Sequence, residues 1–114
     1  MIQQFYPDEW LDSAYVIDYE KLYKEGYRGL IFDIDNTLVP HGAPADERAI
    51  ALFKRLREIG FSCCLLSNNK EPRVKMFNEK IGVSYIFKAG KPAKRGYEEA
   101  MSKMGTDRGT TLFV

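Results

Sequence analysis

The chain has no long apolar run, no excess of one charge, two cysteines and a single histidine, and each shortage removes a class of function. No stretch approaches the roughly 20 apolar residues of a membrane-spanning helix, and the start lacks the basic-then-apolar pattern of a signal peptide. Seventeen Lys and Arg against sixteen Asp and Glu leave a net charge of +1, without the basic excess of a nucleic-acid binder. A cytoplasmic protein is therefore expected. Cys63 and Cys64 are neighbours in an expected strand, so their side chains point to opposite faces and do not bridge. They read as small buried hydrophobes in a reducing compartment, with no electropositive setting to activate a thiolate. There is no repeat or low-complexity tract, and 114 residues at 45% hydrophobic and 29% charged fit one globular domain over 1–114.

What the chain does have is Leu30-Ile31-Phe32 followed at once by Asp33-Ile34-Asp35-Asn36-Thr37. Three apolar residues suit a strand buried on both faces, and the acids then stand where a parallel strand ends, the edge at which open α/β sheets place ligands. Like charges two residues apart raise each other's pKa, a cost that a divalent cation removes. Hard oxygen ligands of this kind suit Mg²⁺. An isolated D-x-D can equally end a strand and start a turn, with Asn36 as a turn residue.

Similar signals recur along the chain. Residues 1–27 form an aromatic-rich lead-in with Phe5, Tyr6, Trp10, Tyr15, Tyr19 and Tyr23. They read as a segment packed across the sheet rather than a membrane-surface patch, because no sustained basic amphipathic helix accompanies them. A short helix is expected from near Asp18 to Gly26. Val39 to Pro44 reads as a loop, in which His41 could line the site but, lacking partners at ligand spacing, reads as solvated. Asp46 to Ile59 is the clearest helix, with Leu52, Phe53, Leu56 and Ile59 on one face and Gly60 as its stop. Phe61 to Leu66 gives a second strand, completing a parallel βαβ unit, and it runs into Ser67-Asn68-Asn69. A helix over Glu71 to Lys80 follows, with Val74, Phe77 and Ile81 inward; Ser67 and the asparagines read as small donors at the sheet edge or as a plain cap on that helix. Arg73 either reaches the site with its planar fork of donors or pairs with a surface acid. Val83 to Phe87 forms a third strand ending at Lys88-Ala89-Gly90-Lys91-Pro92. The third long helix, Pro92 to Met104, is expected to bury Tyr97, Met101 and Met104, and Thr110 to Val114 begins a fourth strand.

Asp33-x-Asp35-Asn36-Thr37-Leu38 after a hydrophobic strand resembles the first motif of the haloacid dehalogenase (HAD) superfamily, Ser67 its second and Lys91 before Pro92 its third. With Phe5-Tyr6-Pro7-Asp8, Ser67-Asn68-Asn69, Arg73-Val74 and Lys88 to Pro92, nearly the whole chain resembles the YqeG family of subclass IIIA phosphatases. The resemblance implies an α/β, Rossmann-like three-layer sandwich with a mostly parallel sheet and Mg²⁺-dependent phosphomonoester hydrolysis. Asp33 would be the nucleophile, Asp35 the general acid and base, and Ser67, Asn68, Arg73 and Lys91 the phosphate ligands. The Asp33 carboxylate and the Asp35 main-chain carbonyl would hold the metal. The fourth superfamily motif, with its further acid, is absent, so the domain is expected to be incomplete after Val114, with its last strands missing and its activity impaired. Neither Asp33 to Ser67 nor Ser67 to Lys91 leaves room beyond the roughly 30 residues of a βαβ unit. No cap domain is expected, and an open site suits bulky substrates, including a phospholipid such as phosphatidylglycerophosphate, with peripheral membrane contact. A non-catalytic phosphate-binding or protein-interaction module on the same fold is the alternative.

Overall fold

Leu30, Ile31 and Phe32 do form a strand, and the sheet is laid out around it. The computed structural model describes residues 13–87 and 93–114. Within them β1 (Gly29–Phe32), β2 (Ser62–Leu66), β3 (Ser84–Ile86) and β4 (Thr111–Phe113) make one sheet in the order β3-β2-β1-β4. Every pairing is parallel, with Phe32 opposite Leu65 and Ile31 opposite Phe113. β1 lies between β2 and β4, which explains why all four of its residues are buried. Alternate β1 side chains then serve different cores. Leu30 and Phe32 join a large cluster with residues of α1 (Tyr19–Lys24), α2 (Glu47–Ile59) and α3 (Glu71–Asn78). Ile31 joins a smaller one with Cys64, Leu66, Ile86 and Ala100 of α4 (Ala93–Met104). Helices therefore cover both faces, the Rossmann-like α/β arrangement expected and compatible with a HAD-like fold. Among the described residues no helix is long and apolar enough to cross a membrane.

Local chemistry sets the ends of these elements. Asp46 caps α2 by accepting the Ala49 N–H at 2.8 Å, and Gly60 ends it at φ 121°. A Cβ at Gly60 would also lie 2.8 Å from the Tyr23 hydroxyl, so glycine there both ends the helix and lets Tyr23 pack edge-on against Phe61 at 5.4 Å between centroids. The lead-in aromatics that are described do pack inward: Tyr19 is buried, Tyr15 and Tyr23 lean on the same core, and the Tyr15 hydroxyl donates to the Leu38 carbonyl at 2.7 Å. Phe5, Tyr6 and Trp10 lie outside the described residues.

Two helices refine the reading of the sequence. α3 is preceded by Lys70 at its N-cap, without a side-chain capping bond, so neither Ser67 nor the asparagines cap it; their polar groups are turned to other uses. α4 buries Gly96 and Ala100 most deeply, and Tyr97 and Met104 pack half-buried against the Ala100 cluster on the expected side, with Met101 half-buried beside them. Small residues at the contact let the helix lie close to the sheet, and the longer side chains splay to its flanks.

Candidate active site

Because β1 and β2 are parallel neighbours in register, Asp33 and Ser67 emerge at the same edge of the sheet, just beyond Phe32 and Leu66. The chain after Asp33 has to turn sharply to stay there. Asn36 adopts φ 62°, the one non-glycine residue with positive φ among the described residues, a conformation asparagine tolerates better than most. The turn closes with the Asn36 N–H donating to Val39 O at 2.8 Å and the Leu38 N–H to Ile34 O at 3.0 Å. Ser67 is 2% exposed and is the buried polar residue of the described core. Its N–H donates to Ile86 O at 3.0 Å, and its Oγ accepts the Asn69 N–H at 3.1 Å. That leaves the hydroxyl proton available for an oxygen acceptor.

The two acids have different surroundings. Asp33 is half-buried, and its Oδ1 accepts the N–H of its own neighbour Ile34 at 2.8 Å. Burial pushes its carboxyl up, the Ile34 N–H opposes that, and repulsion from Asp35 adds to the rise. Asp35 is tied on both oxygens. Oδ1 accepts from Arg73 Nη2 at 2.7 Å and from the Gly42 N–H at 2.8 Å, and Oδ2 accepts from Asn69 Nδ2 at 2.6 Å. Burial alone would raise this carboxyl too. The Arg73 hydrogen bond, the Gly42 N–H, the Arg73 charge and, least, the His41 ring outweigh it and hold Asp35 below the usual carboxylate range. Oδ1 carries two of these hydrogen bonds and Oδ2 one, so a proton can enter Asp35 on the second lone pair of Oδ2 with all three donors in place. The Asp35 and Arg73 side chains are 11% and 14% exposed, yet Arg73 Nε and Nη1 are buried without a partner among the described residues. Unsatisfied buried donors of this kind cost about 1–3 kcal/mol each.

Over 106 residues the chain is 39% identical to "Probable phosphatase YqeG" of Bacillus subtilis (strain 168), a match that covers 91% of this chain and 62% of that protein. The chain belongs to the YqeG family. It spans less than two thirds of that relative's length. No protein-family model and no solved structure matches it.

In this YqeG-family chain the structure gathers Asp33, Asp35, Ser67 and Arg73 at one edge and adds two groups that sequence reasoning missed, Asn69 and the Gly42 N–H. Asn69 could not be told from Asn68, an equal amide one residue away; the turn after β2 sends Asn69 to Asp35 and leaves Asn68 exposed. Arg73 meets an acid as one of its two readings required, but that acid is Asp35 inside the site. Lys88 and Lys91 lie outside the described residues. His41 is 77% exposed with its Nδ1 3.9 Å from Asp35 Oδ1, at the rim of the site. Cys63 and Cys64 are free thiols pushed up to about 12 by burial, which leaves them without thiolate character.

Among the described residues no three His, Cys, Asp or Glu side chains gather as a metal cluster. The donors present nevertheless fit the divalent cation that the motif resemblance implies. Asp33 is an acid that burial and a neighbouring charge disfavour, and Mg²⁺ characteristically uses one or two carboxylates and completes its shell with water and substrate phosphate. The turn's bonds run to the Ile34 and Val39 carbonyls and not to that of Asp35. The Asp35 carboxylate is committed to its three donors, so Asp35 would contribute its main-chain oxygen.

Proposed function

We propose that the chain carries the catalytic edge of a Mg²⁺-dependent phosphomonoesterase that works through an aspartyl-phosphate. The observation that carries this reading is the division of labour between the two acids: Asp33 lightly held and facing the end of the central strand, Asp35 fixed by Arg73, Asn69 and Gly42 beside it. An oxygen of Asp33 forms a bond to phosphorus while the ester P–O bond breaks, and Asp35, carrying a proton on the free lone pair of Oδ2, delivers it to the departing oxygen. Water then attacks the phosphorus, its proton passes to Asp35, and the Asp33–phosphorus bond breaks to release phosphate. Ser67, Asn68 and Lys91 hold the phosphoryl oxygens, and Arg73 stands at the Asp35 carboxylate. The Asp33 carboxylate and the Asp35 carbonyl hold the cation, which supplies charge neutralisation at the phosphoryl group. The intervals between the motifs admit no cap, which supports a bulky phosphate such as a phospholipid headgroup, met in the cytoplasm at a membrane surface.

The competing reading is a phosphate-binding or protein-interaction module without turnover, and the locking of Asp35 by three donors is the observation in its favour. Hydrolysis of an aryl phosphate by this chain, with Mg²⁺ or with a chelator, separates the two. Turnover that needs Mg²⁺ and falls by about 10³-fold or more in Asp33→Asn is expected for a covalent nucleophile. Activity retained in Asp33→Asn would refute the nucleophile, and phosphate binding without any turnover would support the module.

A further inference from the structure

We infer that Arg73 recognises an anionic group on the leaving alcohol of the substrate, so that it sets specificity instead of cradling the transferred phosphoryl group. The inference rests on the phosphatase reading, in which Asp35 stands beside the departing oxygen and Asp33 with Ser67 beside the transferred group. Arg73 Nη2 is 2.7 Å from Asp35 Oδ1, and a guanidinium is planar and compact, so Nε and Nη1 lie close to the same carboxylate. Neither has a partner among the described residues, and both are shut off from water. Nη2 shares one fork of the guanidinium with Nε and the other with Nη1, so a planar or tetrahedral oxyanion that draws Nη2 off Asp35 also takes up an idle donor beside it.

Arg73 is also the donor that Asp35 can spare. Oδ1 keeps the Gly42 N–H at 2.8 Å and Oδ2 keeps Asn69 at 2.6 Å when the guanidinium turns toward an incoming anion. Asn69 has no such freedom, because it is the side-chain donor on Oδ2. A carboxylate or phosphodiester attached to the leaving alcohol would thus exchange places with one Asp35 contact and satisfy donors that the free protein leaves idle. A neutral alcohol offers no such exchange.

The test compares kcat/KM for 3-phosphoglycerate and glycerol 3-phosphate, whose leaving groups differ by a carboxylate, in the 114-residue chain and its Arg73→Lys and Arg73→Gln variants, with Mg²⁺ at fixed ionic strength. The chain is expected to favour 3-phosphoglycerate by about tenfold or more. That ratio should fall toward one in Arg73→Gln and in Arg73→Lys, which keeps a cation for Asp35 but loses the fork. A ratio near one in the unaltered chain, or the same ratio in both variants, overturns the inference. Calorimetric binding of glycerate against glycerol supplies an arm that needs no turnover. Glycerate bound about tenfold more tightly than glycerol, with the preference lost in Arg73→Lys, supports the assignment; equal binding of the two overturns it. Absence of turnover on either ester is also what the expected loss of the fourth motif gives, and the binding arm then decides the role of Arg73.

Discussion

Asp33 and Asp35 leave one strand end two residues apart, yet the chain holds them in opposite ways. Asp35 is tied to helix α3 through Arg73, to the turn after β2 through Asn69 and to its own loop through Gly42. Asp33 has its neighbour's N–H and a buried position that disfavours its charge. The contrast teaches that the two acids cannot share one energetic role. Asp35 helps fasten α3 and the loop to the sheet edge, whereas the Asp33 charge is maintained against the fold's preference. A group in the second condition is one that a cation or a phosphoryl electrophile would relieve.

Asp35→Asn should break the contrast most severely. It leaves the Arg73 guanidinium buried without a counter-ion and turns an amide N–H toward existing donors, a loss of about 3 kcal/mol, read as a lower urea midpoint. Asn69→Ala comes next, at about 1.5–2 kcal/mol for a hydrogen bond to a charged group. Asn68→Ala, at an exposed position, should stay within about 0.5 kcal/mol. Equal effects from the two asparagines would mean that Asn69 does not anchor Asp35.

Asp33→Asn should act with the opposite sign, raising stability at neutral pH in a chelator. The sign follows from the raised carboxyl. A folded-state pKa above the unfolded value of about 3.9 gives stability that is complete below that value and lost as pH rises through the folded pKa. Removing the acid therefore gains most above the folded pKa, and the gain should vanish in acid. Thermal midpoints of the two proteins that stay apart at low pH would assign the gain to packing instead of charge.

This difference between the acids was only partly legible in the sequence. The central strand, its acids and Ser67 at one edge follow from apolar runs and their punctuation, because strand burial and parallel order leave few other places for them. The α2 boundaries follow likewise from Asp46 and Gly60. The tie between Arg73 and Asp35 was not legible, since it joins residues 38 positions apart and depends on how the first turn of α3 faces the loop. Asn69 was missed for a similar reason: adjacent amides differ only once the backbone turns. The deeper burial of Gly96 and Ala100 than of Tyr97 and Met101 depends on how closely α4 approaches the sheet, a distance that helical periodicity alone leaves open.

His41 tests where the fastening of Asp35 ends. Its ring nitrogen is 3.9 Å from Asp35 Oδ1, but the side chain is 77% exposed, so solvent and salt screen whatever attraction exists. His41→Ala should change stability by less than about 0.5 kcal/mol, and raising the ionic strength should change that difference little. Gly42 holds Asp35 through its backbone N–H, which the substitution leaves in place. A loss as large as that of Asn69→Ala would therefore mean that the 39–44 loop depends on the imidazole itself, and the rim of the site would then belong to the rigid Asp35 side.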